Sequence, residues 1–140
     1  MEIRMRGRSL IRTAVYAALR ADVETFRAVL PDIQIDELDI DGYSILVAVA
    51  ESAGDCVEQH VEILDIAWSL GASPFVELPR VHSHVDNILE VALYEGGGAN
   101  ILSNNILAAQ NRWRQMRATI PLVLKCLPEV LVQIVIQLVG

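Results

Sequence analysis

Basic residues are missing from the middle of this chain. No Lys or Arg stands between residues 28 and 79. The same stretch holds Asp32, Asp36, Glu37, Asp39, Asp41, Glu51, Asp55, Glu58, Glu62, Asp65 and Glu77. Arg4, Arg6, Arg8 and Arg12 come before it, and Arg112, Arg114 and Arg117 come after it. The formal net charge is −7. Binding to a phosphate backbone needs clustered Lys and Arg, so no direct nucleic-acid contact is expected. An acidic middle between basic ends bears on partners and association rates rather than on fold.

Cysteine is also scarce. Cys56 and Cys126 are too few for a disulfide scaffold, and a reduced, cytoplasmic setting is expected. The Arg-rich start leads into no long apolar run with a small-residue cleavage site, so no signal peptide is expected. Strand-like alternation is sparse. Catalytic signatures are missing too: there is no Gly-x-Ser-x-Gly, no P-loop and no His-Glu-x-x-His. The glycines at 96–98 lack the Lys-Ser/Thr of a phosphate cradle, and helix termination accounts for them. Cys56 near a helix start, with His60 one turn on, is the nearest approach to a nucleophile and base, and no orienting acid accompanies them. The chain is expected to be no enzyme and to carry no cofactor.

Apolar side chains are abundant instead, at 53% of the 140 residues. That excludes global disorder and suits one helical domain with a real core. Helical spacing predicts helices over 9–19, with Ser9 as cap, and 22–30, with Asp22 as cap and Pro31 as stop. Residues 32–43 read as a loop ending in the Asp41-Gly42 turn, with Ile33, Ile35 and Leu38 as a brief extended finger. Further helices are predicted over 44–53 and 56–70, with Gly71 as terminator, then over 85–95 and 103–118. In the fourth, Val57, Val61, Leu64 and Trp68 share one face, and Glu58, Glu62 and Asp65 form an acidic stripe on another. In the sixth, Leu102, Ile106, Ala109, Trp113, Met116 and Ile120 make a stripe expected to be buried.

The segment 120–139 is long and apolar enough to raise a membrane span, but it contains Lys125, Glu129, Gln133 and Gln137 together with Pro121 and Pro128. It reads instead as a C-terminal capping helix. Val130, Leu131, Ile134 and Leu138 are then candidates for a homodimer contact. Residues 1–8 read as a basic arm.

An internal repeat organises the whole. The pattern Ser44-Ile45-Leu46-Val47-Ala48-Val49-Ala50 returns as Asn87-Ile88-Leu89-Glu90-Val91-Ala92-Leu93. Asp39-Ile40-Asp41-Gly42-Tyr43-Ser44-Ile45-Leu46 is similar to the Asp-x-x-Gly-x-Thr-Pro-Leu of ankyrin repeats. Val61-Glu62-Ile63-Leu64 and Ala67-Trp68-Ser69-Leu70-Gly71-Ala72 resemble the second helix and Gly-Ala ending of that family. Ala17-Ala18 through Val29-Leu30 resembles the core of an earlier repeat. The likeness covers residues 9 to about 93. Ile45 replaces the family's proline and Val47 its histidine. The Ile-Leu pairs at 45 and 88 also lie further apart than the usual ~33 residues.

The resemblance implies an all-α, ankyrin-like stack of about three helix pairs that binds a protein through its turn fingers and the exposed side of its first helices. The partner surface would be Asp36, Glu37, Asp39, Asp41 and Tyr43, with Glu58, Glu62 and Asp65 as a second acidic patch. A tyrosine among acids suits recognition. The partner is expected to present a basic surface, as for an adaptor or an immunity-type inhibitor.

Three alternatives stand beside it. An acidic helical surface that mimics a nucleic acid would occupy the groove of a basic protein. Cys56, His60, His82 and His84 offer a thiolate and three imidazoles for Zn²⁺, although their spacing is that of no named motif. Asp36, Asp39 and Asp41-Gly42 faintly resemble a calcium loop that lacks its closing Glu.

Overall fold

The computed structural model describes residues 2–52, 56–95, 100–125 and 129–139. The predicted end of the third helix at Ala53, the glycines at 96–98, Cys126 and Pro128 lie outside them, as do the side chains of Arg4, Arg6, Arg8, Lys125, Glu129, Val130 and Leu131. Every regular element among the described residues is helical: α1 (Glu2–Arg20), α2 (Val23–Val29), α3 (Ile45–Glu51), α4 (Val57–Ser69), α5 (Ile88–Glu95), α6 (Asn100–Lys125) and α7 (Glu129–Val139). Two short 3₁₀ turns, Leu30–Asp32 and Arg80–His82, interrupt the connectors. The chain divides into two compact units, Met1–Ala109 and Gln110–Gly140, with the division falling inside α6.

Unit 1 is built around α3. Its residues Ile45, Leu46, Val47, Ala48, Val49 and Ala50 are all buried, so it has no solvent face to speak of. It packs against α1 on one side and α5 on the other, while α2 packs on α1, and α4 packs on both α2 and α3. α1 turns Ile11, Ala14, Val15, Ala17 and Ala18 inward, and the small residues let the neighbouring helices approach closely. Phe26 of α2 and Ile63, Leu64 and Ala67 of α4 close the core from behind. Ile88 and Val91 of α5, then Leu102 and Ile106 of α6, continue it.

The boundaries have local causes. Asp22 caps α2 by accepting from Thr25 N at 3.2 Å and from the Thr25 hydroxyl at 2.7 Å. These two donors, the hydroxyl first, hold its carboxyl below the usual range. Ser44 caps α3 by accepting from Val47 N at 3.2 Å. Gly71, at φ +84°, ends α4 in a paired motif, with Gly71 N donating to Trp68 O at 3.1 Å and Ala72 N to Ala67 O at 3.0 Å. Ala21 does the same for α1 at φ +60°, a left-handed position that strains a residue with a Cβ by about 1 kcal/mol.

Several expectations change. α1 starts at Glu2, so Ser9 lies within a helix rather than at its cap, and the stretch expected as an arm is helical from residue 2 onward. Residues 33–38 form no strand. On α4 the buried line is His60, Ile63, Leu64 and Ala67, and Val57, Val61 and Trp68 are only half-buried beside it. On α6 the expected stripe is buried at Leu102, Ile106 and Ala109, but in unit 2 Met116 is exposed and Trp113 is half-buried with Arg117 over its ring at 4.9 Å. The exposed side chains of α7 include Ile134, Ile136, Leu138 and Val139.

Losing the α3 cap leaves the buried Val47 N–H unmatched. Ser44→Ala is expected to lower stability by about 1 kcal/mol, read as a shift in the urea midpoint, and Ser44→Thr is expected to lower it less.

Candidate interaction site

The loop between α2 and α3 ends in a tight, internally bonded turn. Asp39 Oδ1 accepts from Asp41 N at 2.9 Å and from Tyr43 N at 3.0 Å. Asp39 N donates to Tyr43 O at 2.8 Å, and Gly42 N donates to Asp39 O at 3.0 Å. Gly42 sits at φ +84°, where only glycine is free of strain, and a Cβ there would meet Pro79 at 3.6 Å. The turn therefore holds its shape without help from its tip. At that tip Ile40 is 79% exposed and Asp41 points to solvent.

The remaining acids of the loop have different roles. Asp36 is half-buried, and both its oxygens accept from Ser73 N, at 3.2 and 3.1 Å. Burial pushes its carboxyl above the ordinary range, and the Ser73 N–H pulls partly the other way. Glu37 Oε1 accepts from Gln34 N at 3.3 Å. Asp36 thus ties the loop to the far end of α4, Glu37 and Asp39 shape the loop itself, and Asp41 is turned outward.

Tyr43 is the foot of the turn rather than its tip. It is half-buried against the core. Burial, then the charge of Glu51 and a side-chain hydrogen bond with it, push the phenol up to about 12. Asp39 and Asp41 add to the same effect. Glu51, at the last residue of α3, also contacts Nε2 of buried His82. His82 belongs to the 3₁₀ turn that follows Pro79. A polar chain Tyr43–Glu51–His82 thus joins the turn, the end of α3 and the later connector. His84 lies beyond it, 6.4 Å from the His82 ring and edge-on to Tyr94 at 6.1 Å. Sequence spacing gave no sign of this chain, because its members are separated by whole elements.

The acidic stripe lies where helical spacing puts it. Glu58, Glu62 and Asp65 are all exposed. Glu62 stands 3.6 Å from Arg27 of α2, a solvent-facing pair that contributes little. Asp65 accepts from Asn105 Nδ2 at 3.1 Å, and Asn105 accepts from Trp68 Nε1 at 2.7 Å, which links α4 to α6. Two of the three carboxylates are therefore already occupied within the fold.

The four zinc candidates do not converge. Cys56 is exposed just before α4. His60 is buried, and its Nε2 donates to Leu19 O at 3.2 Å, since a carbonyl only accepts. His60 Nδ1 has no hydrogen-bond partner among the described residues. His82 is engaged with Glu51, and His84 is exposed beside Tyr94. Among the described residues no three His, Cys, Asp or Glu are arranged to hold a metal ion. The same holds for the calcium-like trio: Asp36 and Asp39 accept from separate backbone donors and do not converge on a shared centre.

One feature beside the turn escaped the pattern reading. Arg12, Tyr16 and Arg20 stand four residues apart on α1 and stack along its exposed side. The hydrogen bond to the Tyr16 hydroxyl holds the Arg12 guanidinium above its already high range, and Asp41 and Asp39 reinforce it. The Arg-x-x-x-Tyr-x-x-x-Arg spacing was the available signal.

Comparison with family models, with curated proteins and with solved structures returns no match to this chain. Among the described residues no helix is long and apolar enough to cross a membrane.

Two measurements test the geometry of the turn. The fold favours the neutral Tyr43 phenol, so its contribution is complete below the ordinary phenol range near ~10 and is lost as pH rises through about 12. Ultraviolet titration is expected to show a phenolate component near 12 that disappears in Tyr43→Phe. Asp36→Ala leaves the Ser73 N–H unmatched and is expected to destabilise by about 1 kcal/mol in urea. Asp36→Asn keeps an acceptor and removes a half-buried charge, so its midpoint at neutral pH is expected to equal or exceed that of the parent.

Proposed function

We propose that this chain is a non-catalytic protein-binding domain of adaptor or inhibitor type, an ankyrin-like stack of helix pairs that docks a protein partner through the 39–43 turn. One observation carries the reading: Ile40 is 79% exposed at the tip of a turn whose backbone is fixed by its own hydrogen bonds. Single exposed apolar side chains are common on protein surfaces, but one fixed on a rigid turn beside a charge is ready to bury its area against a partner. A fixed turn loses little conformational freedom on binding, so more of the contact energy appears as affinity. Asp41 beside it supplies attraction for a basic surface and speeds encounter.

The order of contacts supports the stacked-pair part of this reading. α3 lies between α1 and α5, with α2 and α4 behind, as required of pairs that hide their faces only against neighbours. The acid stripe on α4 supports the mimicry alternative less, because Glu62 and Asp65 have partners within the fold.

The experiment is affinity capture from cells that make this protein, followed by reconstitution with the purified partner. Ile40→Asp combined with Asp41→Lys is expected to weaken binding by roughly thirtyfold, the scale of a hot spot worth about 2 kcal/mol. Glu58→Lys is expected to change it by less than about threefold. A partner that binds the turn variant as tightly as the parent rules out the turn as the docking site.

A further inference from the structure

The exposed side of α1 holds two guanidiniums in fixed positions around one ring. Arg12 donates from Nη2 to the Tyr16 hydroxyl at 3.2 Å and lies 5.5 Å from the ring centre. Arg20 donates from Nε to Tyr16 O at 3.3 Å and lies 5.9 Å from the same ring. Tyr16 itself is 42% exposed, and Leu19 beside it is 39% exposed. Stacking on an aromatic face orients a guanidinium and leaves most of its five donors free. Among the described residues neither Arg12 nor Arg20 forms a salt bridge. At 1.5 Å per residue the two arginines are about 12 Å apart along the helix axis. This is a row of positive charge on a chain whose net charge is −7, with Asp39 and Asp41 close enough to act on Arg12.

We infer that the Arg12–Tyr16–Arg20 row binds a carboxylate-bearing segment of a protein partner, whose basic end meets Asp41 and whose apolar residue covers Ile40. The inference rests on the turn as docking site and adds the chemistry of what docks. Charge complementarity selects the occupant. A carboxylate pairs with the planar fork of arginine through two parallel bonds, and both forks here are already oriented. A nucleic-acid strand carries a charge at every nucleotide, so a strand covering Arg12 would bring phosphates against Asp39 and Asp41. A protein segment alternates its charges and meets both signs in one pass. Binding of this kind gains specificity and encounter rate from the charges, and its affinity comes from the covered apolar residues.

The test uses the whole chain and a random peptide library displayed on phage. Recovered peptides are synthesised, and their affinities are measured by fluorescence anisotropy against the parent, Arg12→Glu/Arg20→Glu and Ile40→Asp. Circular dichroism melts confirm that the variants, all changed at exposed positions, remain folded. The expected result is a set of peptides carrying Asp or Glu separated by several positions from Lys or Arg. Their Kd should rise at least tenfold on Arg12→Glu/Arg20→Glu. Replacing the peptide's acid by Lys should restore at least tenfold of affinity on that variant and weaken binding to the parent. Peptides indifferent to Arg12→Glu/Arg20→Glu overturn the inference, and if they still weaken on Ile40→Asp the turn stands as the site by itself. Twenty-residue oligothymidylate that binds the parent through Arg12 and Arg20, with no acidic peptide recovered, overturns it in favour of a nucleic acid. Recovery of no peptide above a bare surface overturns both readings.

Discussion

Everything in unit 1 depends on burying a helix that cannot stand alone. α3 has seven residues, and helices that short do not persist in water on propensity. Its sequence offers no polar face to turn outward. It is kept helical by neighbours on both sides and by the Ser44 cap that satisfies its first turn. Both ends are thereby fixed in space. The N-terminal end carries Tyr43 and the turn before it, and the C-terminal end carries Glu51. The features that give the surface its character are direct extensions of the most buried element in the chain.

This also explains why the acids of the loop fall into two groups. A backbone that leaves a core must satisfy its own donors before it can present anything outward. Asp36 and Asp39 serve that need, on Ser73 N and on the turn itself. Asp41 and Ile40 are left to face solvent. Charge alone does not separate these groups, since all three aspartates look alike in a list of residues. Hydrogen-bond geometry separates them.

The all-helical character was legible, and so were the places where local chemistry decides an outcome alone. Asp22 as a cap, Asp41-Gly42 as a turn and Gly71 as a terminator depend on a few adjacent atoms and stand where they were read. The outward face of Glu58, Glu62 and Asp65 followed from helical spacing. What required distant residues was not legible. The helix over Ile45 to Ala50 was expected, but its burial on every side is set by α1 and α5, which pack against it from distant parts of the chain. Met116 fits an apolar stripe, yet it lies in unit 2 beyond Ala109 and is exposed. His82 looked like a potential ligand because its contact with Glu51 joins segments with no sequence relation. The start of α1 was misplaced because Ser9 is a good cap residue in the wrong position.

The longer spacing between the two Ile-Leu motifs has a mechanical consequence. Residues between Gly71 and Val85 are not slack: they carry Pro79 against Gly42 and bring His82 onto Glu51. They act as a strut that braces the turn from outside its own helix pair. The turn is therefore braced by a segment more than thirty residues downstream. Changes in that later connector would re-aim the surface without altering any residue on it.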